Sequence, residues 1–95
     1  MNKISILLPY KENFSPDYAG AVSLYVKDTT KRSEYIKQII VYGSTKYKKI
    51  FNLNYVNIAL DKHILKSGSK LYVQNFLKYE KKHPSEVIEI HNRPI

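Results

Sequence analysis

Apolar residues gather in four short runs separated by polar stretches of changing period. Ile4, Ser5, Ile6, Leu7 and Leu8 form a nearly continuous apolar run that Pro9 stops, the pattern of a strand buried on both faces. Residues 10–20 lose any sustained period, and Pro16 with its turn-forming neighbours marks a long loop, a kind of segment that often carries function. From Ala21 the positions Val22, Tyr25, Val26 and Thr29 follow helical spacing, which predicts a helix to about Ser33 with Gly20 easing its start.

Ile39, Ile40, Val41 and Tyr42 make a second β-branched run closed by Gly43, and residues 55–60 make a third, weaker one. The basic connection between them has room for one helical turn. Residues 61–69 form a second loop. From Lys70 the residues Tyr72, Val73, Phe76, Leu77 and Glu80 share one helical stripe, with Ser69 as its cap and Pro84 as its end. Val87 to Ile90 is the fourth strand, and the order is β-α-β-β-α-β.

Two architectures fit that order. In a split antiparallel sheet of the ferredoxin-like kind, the second and third strands form a hairpin. Their connection, residues 43–54, is long for a hairpin and lacks a two-residue turn signal. In the Rossmann-like α/β alternative, helical crossovers make an open, mainly parallel sheet of order 3-2-1-4. The connection favours this second architecture. Its switch point lies between strands one and four, so the 9–20 loop and His91 face one crevice.

Chemistry concentrates where the fourth strand stops. Period-two alternation puts Val87, Glu89 and His91 on one side, with Ile88, Ile90 and Asn92 on the other. Glu89 can then orient His91, since a carboxylate fixes the imidazole tautomer and raises its basicity. The alternatives are that Glu89 meets solvent or a lysine and that His91 is structural. At the other wall, the free N–H groups of the helix starting at Ala21 suit a phosphate or carboxylate, and Gly20 lets a ligand approach. One glycine is not the three-glycine dinucleotide fingerprint, and there is no phosphate-loop lysine motif. His63 and His83 lack metal-ligand spacing and read as surface residues. Among nine tyrosines, Tyr25 and Tyr72 fall on helix core stripes and Tyr42 in a strand, which assigns them to packing.

At 95 residues the chain has room for one small core. Sixteen Lys and Arg against eight Asp and Glu give a net charge of +8, which attracts nucleic acid, nucleotide phosphates and acidic headgroups alike. Lysine dominates that excess and also serves simple solubility. The absence of cysteine removes disulfides and thiolate metal sites, with the cytosol as the default location. The apolar run at residues 4–8 is too short for a signal-peptide core or a bilayer span, so any membrane contact is expected to be peripheral, at the inner face.

Ile4-Ser5-Ile6-Leu7-Leu8-Pro9, the loop reaching Ala19-Gly20-Ala21, the strand ending Val41-Tyr42-Gly43 and above all Ile88-Glu89-Ile90-His91-Asn92-Arg93-Pro94 resemble the start of a family 4 glycosyltransferase. The resemblance spans nearly the whole chain, and the closing motif is its most specific part. The first loop has one glycine where many members have a Gly-Gly pair. The resemblance implies the GT-B fold, with residues 1–95 as part of an amino-terminal, acceptor-side domain and a second domain, absent from this sequence, that binds the nucleotide-sugar. It further implies transfer of a sugar to a glycan or lipid-linked acceptor, usually without a bound metal or other cofactor. His91 then lies near the transferred sugar. Gly20 lies at the loop before the first helix, and Ala19, Ala21, Asn92 and Arg93 stand nearby as substrate-binding candidates. On this reading the isolated chain is expected to have little or no transferase activity. A small basic nucleic-acid-binding protein and a noncatalytic module that pairs through its fourth strand are the competing classes.

Overall fold

The computed structural model of the chain describes residues 2–60 and 68–92. The expectations for the loop carrying His63, for Arg93 and for Pro94 lie outside the described residues. The elements follow the order β1 (Ile4–Leu7), α1 (Ala21–Arg32), β2 (Ile39–Gly43), β3 (Tyr55–Asn57), α2 (Gly68–Lys82) and β4 (Val87–Ile90). They build a four-stranded sheet of order β3-β2-β1-β4 in which every pairing is parallel. The open Rossmann-like order is therefore the one adopted, and the hairpin alternative is excluded. β1 is central, with Ile4 beside Ile39 on one flank and Val87 on the other.

Both faces of β1 and β2 are covered, which explains their nearly unbroken apolar runs. On the first face Ile6, Leu8 and Val41 pack with Val26 of α1 and with Phe14. On the second, Leu7, Tyr42 and Ile58 pack with Tyr72 and Phe76 of α2. Phe14 is fully buried and lies flat against Tyr55 at a 5.4 Å centroid distance, with Phe51 edge-on at 5.1 Å. The long loop after β1 is thus anchored by its own aromatic residue. Tyr72 donates its hydroxyl to the Leu8 carbonyl at 2.6 Å, tying α2 to the end of β1, and burial pushes its phenol pKa up.

Ser5 interrupts the apolar run of β1 for a reason that lies on α2. Glu80 is buried. Its carboxylate accepts from Ser5 Oγ at 2.6 Å, Ser85 Oγ at 2.9 Å, Ser85 N at 3.0 Å and Lys3 Nζ at 3.2 Å. Four donors satisfy a buried charge that is otherwise costly. The cluster joins β1, the end of α2 and the approach to β4. Burial by itself pushes the Glu80 pKa up, but the bonds from Ser5, Ser85 and Lys3 outweigh it, and the net direction is down.

Several boundaries differ from the pattern. The buried stripe of α1 is Ser23, Val26 and Thr30, whereas Tyr25 is 61% exposed and Thr29 turns its hydroxyl back onto the Tyr25 carbonyl at 2.9 Å. Two of the three buried positions are thus small polar residues, with Val26 the one that joins the first core cluster. Ser69 lies inside α2, which extends at least from Gly68, and so does not cap it. Val73 and Leu77 are exposed, so the α2 stripe narrows to Tyr72, Phe76 and Glu80. β3 stops at Asn57, although Ile58 N still donates to the Gly43 carbonyl at 2.7 Å. Residues 44–54 contain no helical turn; Ile50, Phe51 and Leu53 pack irregularly onto the first core face instead. β4 is an edge strand whose four residues are all exposed.

The Glu80 cluster makes stability pH-dependent in a defined direction. A carboxylate whose pKa is lower folded than unfolded stabilises the fold above its usual range and loses that contribution as pH falls through the folded value. Glu80→Ala is expected to cost about 3 kcal/mol at neutral pH, the scale for stripping one partner from a buried charged cluster. Urea midpoints of both proteins should converge as the pH is lowered below about 4.5.

Candidate functional site

The carboxyl ends of β1 and β4 meet at the point where strand order reverses, the place where open parallel sheets keep their ligands. His91 N donates to the Leu7 carbonyl at 3.0 Å, so the ladder continues one residue past β4 and fixes the histidine beside β1. Pairing of Ile6 with Glu89 puts Glu89 on the α1 face, and period-two alternation brings His91 to the same side. The Glu89 carboxylate lies 2.7 Å from His91 Nε2. In a neutral ring this bond holds the proton on Nε2 and leaves the Nδ1 lone pair available.

Tyr25 of α1 stands edge-on to the His91 ring at 6.1 Å. An exposed aromatic ring therefore borders the imidazole, a role hidden by the helical periodicity that assigned Tyr25 to the core. Asn92 follows His91 and is exposed. On the other face of the sheet, a cavity of about 280 Å³ runs beneath the same strand end, lined by Leu7, Tyr72, Phe76, Leu77, Ile90 and His91 among others. It is mostly apolar. The strand end thus separates a polar side, with Glu89 and Tyr25, from an apolar side, and His91 borders both.

The amino end of α1 is already occupied. Pro9 accepts from Glu12 N at 3.1 Å, closing a turn in which Lys11 takes a left-handed φ of 67°. Glycine usually fills such a position. The turn sends the buried Glu12 side chain back under the helix, where its Oε2 accepts from Ser23 N at 3.2 Å. α1 has no side-chain N-cap bond and no acidic residue in its first turn, so Glu12 supplies the negative charge that the helix end favours. The role of Gly20 follows from this arrangement. A Cβ there would run into the Glu12 carboxylate, with the carboxyl carbon 2.9 Å away. Gly20 and the exposed Ala21 therefore frame a terminus held by the chain's own carboxylate, where the sequence suggested an external anion.

A second polar group lies at the carboxyl ends of β2 and β3. Thr45 Oγ1 donates to Asn13 Oδ1 at 2.7 Å, while Thr45 N at 2.9 Å and the Tyr55 hydroxyl at 2.8 Å both donate to Asn57 Oδ1. Asn13, Thr45 and Asn57 border a cavity of about 570 Å³ that also takes in Tyr10, Lys11 and Lys46. Sequence reasoning passed over this group, and its one local sign was an asparagine inside the third apolar run. Glu12 left a clearer trace: no Ser, Thr, Asp or Asn immediately precedes Ala21, so a cap had to come from elsewhere.

Among the described residues no three His, Cys, Asp or Glu are placed to hold a metal ion, and no helix is long and apolar enough to cross a membrane. No protein-family model, curated protein or solved structure matches the chain.

Gly20→Ala is expected to displace the Glu12 carboxylate from Ser23 and destabilise the fold by about 1–2 kcal/mol, the scale of one charged hydrogen bond at a helix end. Thermal denaturation of the single and double variants checks the cause. In a Glu12→Ala background the three carboxylate atoms nearest the added methyl group are gone, so the cost of Gly20→Ala should largely vanish.

Proposed function

We propose that this chain is the acceptor-side, Rossmann-like module of a glycosyltransferase that moves a sugar from a nucleotide-sugar to a glycan or lipid-linked acceptor. The observation that carries the reading is the Glu89–His91 pair at the switch point of a parallel sheet, 2.7 Å apart and bordered by Tyr25. Its resemblance to the strand-end motif of family 4 glycosyltransferases supplies the reaction class.

Glycosyl transfer joins the acceptor hydroxyl oxygen to the anomeric carbon. The bond from that carbon to the nucleoside diphosphate breaks, and the hydroxyl proton departs. His91, held by Glu89, offers Nδ1 as an acceptor for a sugar hydroxyl. Tyr25 offers an apolar ring for the C–H face of a pyranose. Positive charge develops on the sugar ring in such a transfer, and the Glu89 carboxylate behind the imidazole is placed to favour it. The nucleotide-sugar is assigned to a second module facing this crevice, because Glu12 already fills the α1 terminus where a diphosphate would otherwise sit. Asn92 borders the same strand end as a further hydroxyl partner, and Arg93 follows it in sequence.

Ligand-observed saturation-transfer NMR with methyl glycosides of common hexoses tests the reading. The wild-type chain should transfer saturation to at least one glycoside, and His91→Ala or Tyr25→Ala should reduce it severalfold. Nucleotide-sugars added to the chain alone should give little or no transfer to any glycoside. Saturation transfer that is absent for every glycoside, or indifferent to both substitutions, would contradict the proposal.

A further inference from the structure

At the opposite end of the sheet, the amino ends of β2 and β3 and the last turns of α2 enclose a larger cavity that the proposed transferase site does not use. Its volume is about 660 Å³, within the range of ligand pockets. Ile40, Tyr42 and Val56 form an apolar floor, while Lys3, Lys37 and Tyr79 stand at the rim. A second lobe of about 480 Å³, bordered by Asn75, Lys78 and Lys82, shares Tyr79 and His83 with the first. Tyr79 therefore stands where the two lobes meet.

No carboxylate lines either lobe. Lys3 is engaged by Glu80 and by the His83 carbonyl, at 3.2 and 2.8 Å. Lys37, Lys78 and Lys82 are exposed, and their side chains have no hydrogen-bond or ion-pair partner among the described residues. The Tyr79 ring contacts Tyr42 at 5.8 Å and remains 36% exposed. The result is a groove with an accessible aromatic ring and unpaired cations on either side of it, Lys37 in one lobe and Lys78 and Lys82 in the other.

Cations in both lobes, with the ring shared between them, select among anionic ligands. A free nucleotide carries phosphate on one side of its base only, whereas a base within a strand has phosphates on both. A paired base in a duplex keeps its faces stacked on neighbours and cannot reach the ring. We infer that this groove binds single-stranded nucleic acid, with one base stacked on Tyr79 and the flanking phosphates on Lys37 and on the Lys78–Lys82 pair. The site stands apart from the proposed sugar site and does not depend on it.

Fluorescence anisotropy of a short fluorescein-labelled oligothymidylate, titrated with the 95-residue protein, tests the inference. Three lysine–phosphate contacts predict that log affinity falls with log salt concentration at a slope of about −2. Replacing Lys78 and Lys82 together with glutamine should flatten the slope by about 1.4. Tyr79→Ala should weaken binding about fivefold or more, the lower end of the stacking contribution of one base. Tyr79→Leu keeps apolar bulk against Tyr42 and should weaken binding similarly, which separates lost stacking from lost packing. Unlabelled single strand should displace the probe, and thymidine monophosphate, duplex of the same length and heparin should do so much less well. Absent binding, equal displacement by duplex or heparin, or affinity unaffected by both Tyr79 substitutions would overturn the inference.

Discussion

Parallel strands cannot be joined by a tight turn, and this constraint on β1 organises the molecule. β1 pairs in parallel with β2 and β4 at once, so each connection must travel back across a face of the sheet before the next strand begins. α1 and α2 make those returns on opposite faces, as the two separate core clusters require. All four strands consequently finish at one end, and the order reversal at β1 leaves a crevice there. The position of His91 is a product of chain topology before it is a product of any local motif.

Charge is managed within the chain at two points that a tally of +8 does not reveal. Glu12 neutralises the amino end of α1 from a turn eleven residues upstream of its partner Ser23. Glu80 collects Lys3, Ser5 and Ser85 beneath the amino end of the sheet. Both acids are buried. Their removal from the surface leaves lysines without neighbours of opposite sign. The carboxyl end presents Glu89 and His91 together with Lys11 and Lys46, while Lys37, Lys78 and Lys82 flank Tyr79 along α2 and the amino end of β2.

Element order, strand positions and the parallel sheet were legible because apolar runs and helical stripes record burial directly, and the 43–54 connection spoke against a hairpin. The pairing of Glu89 with His91 was legible as an option from alternation alone. Less was legible wherever a side chain's partner lies far away in sequence. Ser5 looks like a flaw in a strand until Glu80 is brought beneath it. Gly20 looks like room for a ligand until Glu12 takes the space. Tyr25 shares helical spacing with Val26, yet the buried face of α1 is Ser23, Val26 and Thr30, two of them polar residues that an apolar pattern does not weigh. The outward face of β4 likewise depends on where the helices stop covering the sheet.

We propose that topology and Glu89 together present His91 to a sugar. Nitrogen-15 NMR of the imidazole at neutral pH, with and without a binding methyl glycoside, tests it most directly. A proton on Nε2, with Nδ1 shifting when the glycoside is added and the Nε2 preference lost in Glu89→Ala, is the predicted result. A proton on Nδ1, or two ring nitrogens that ignore both the glycoside and the substitution, would contradict the account.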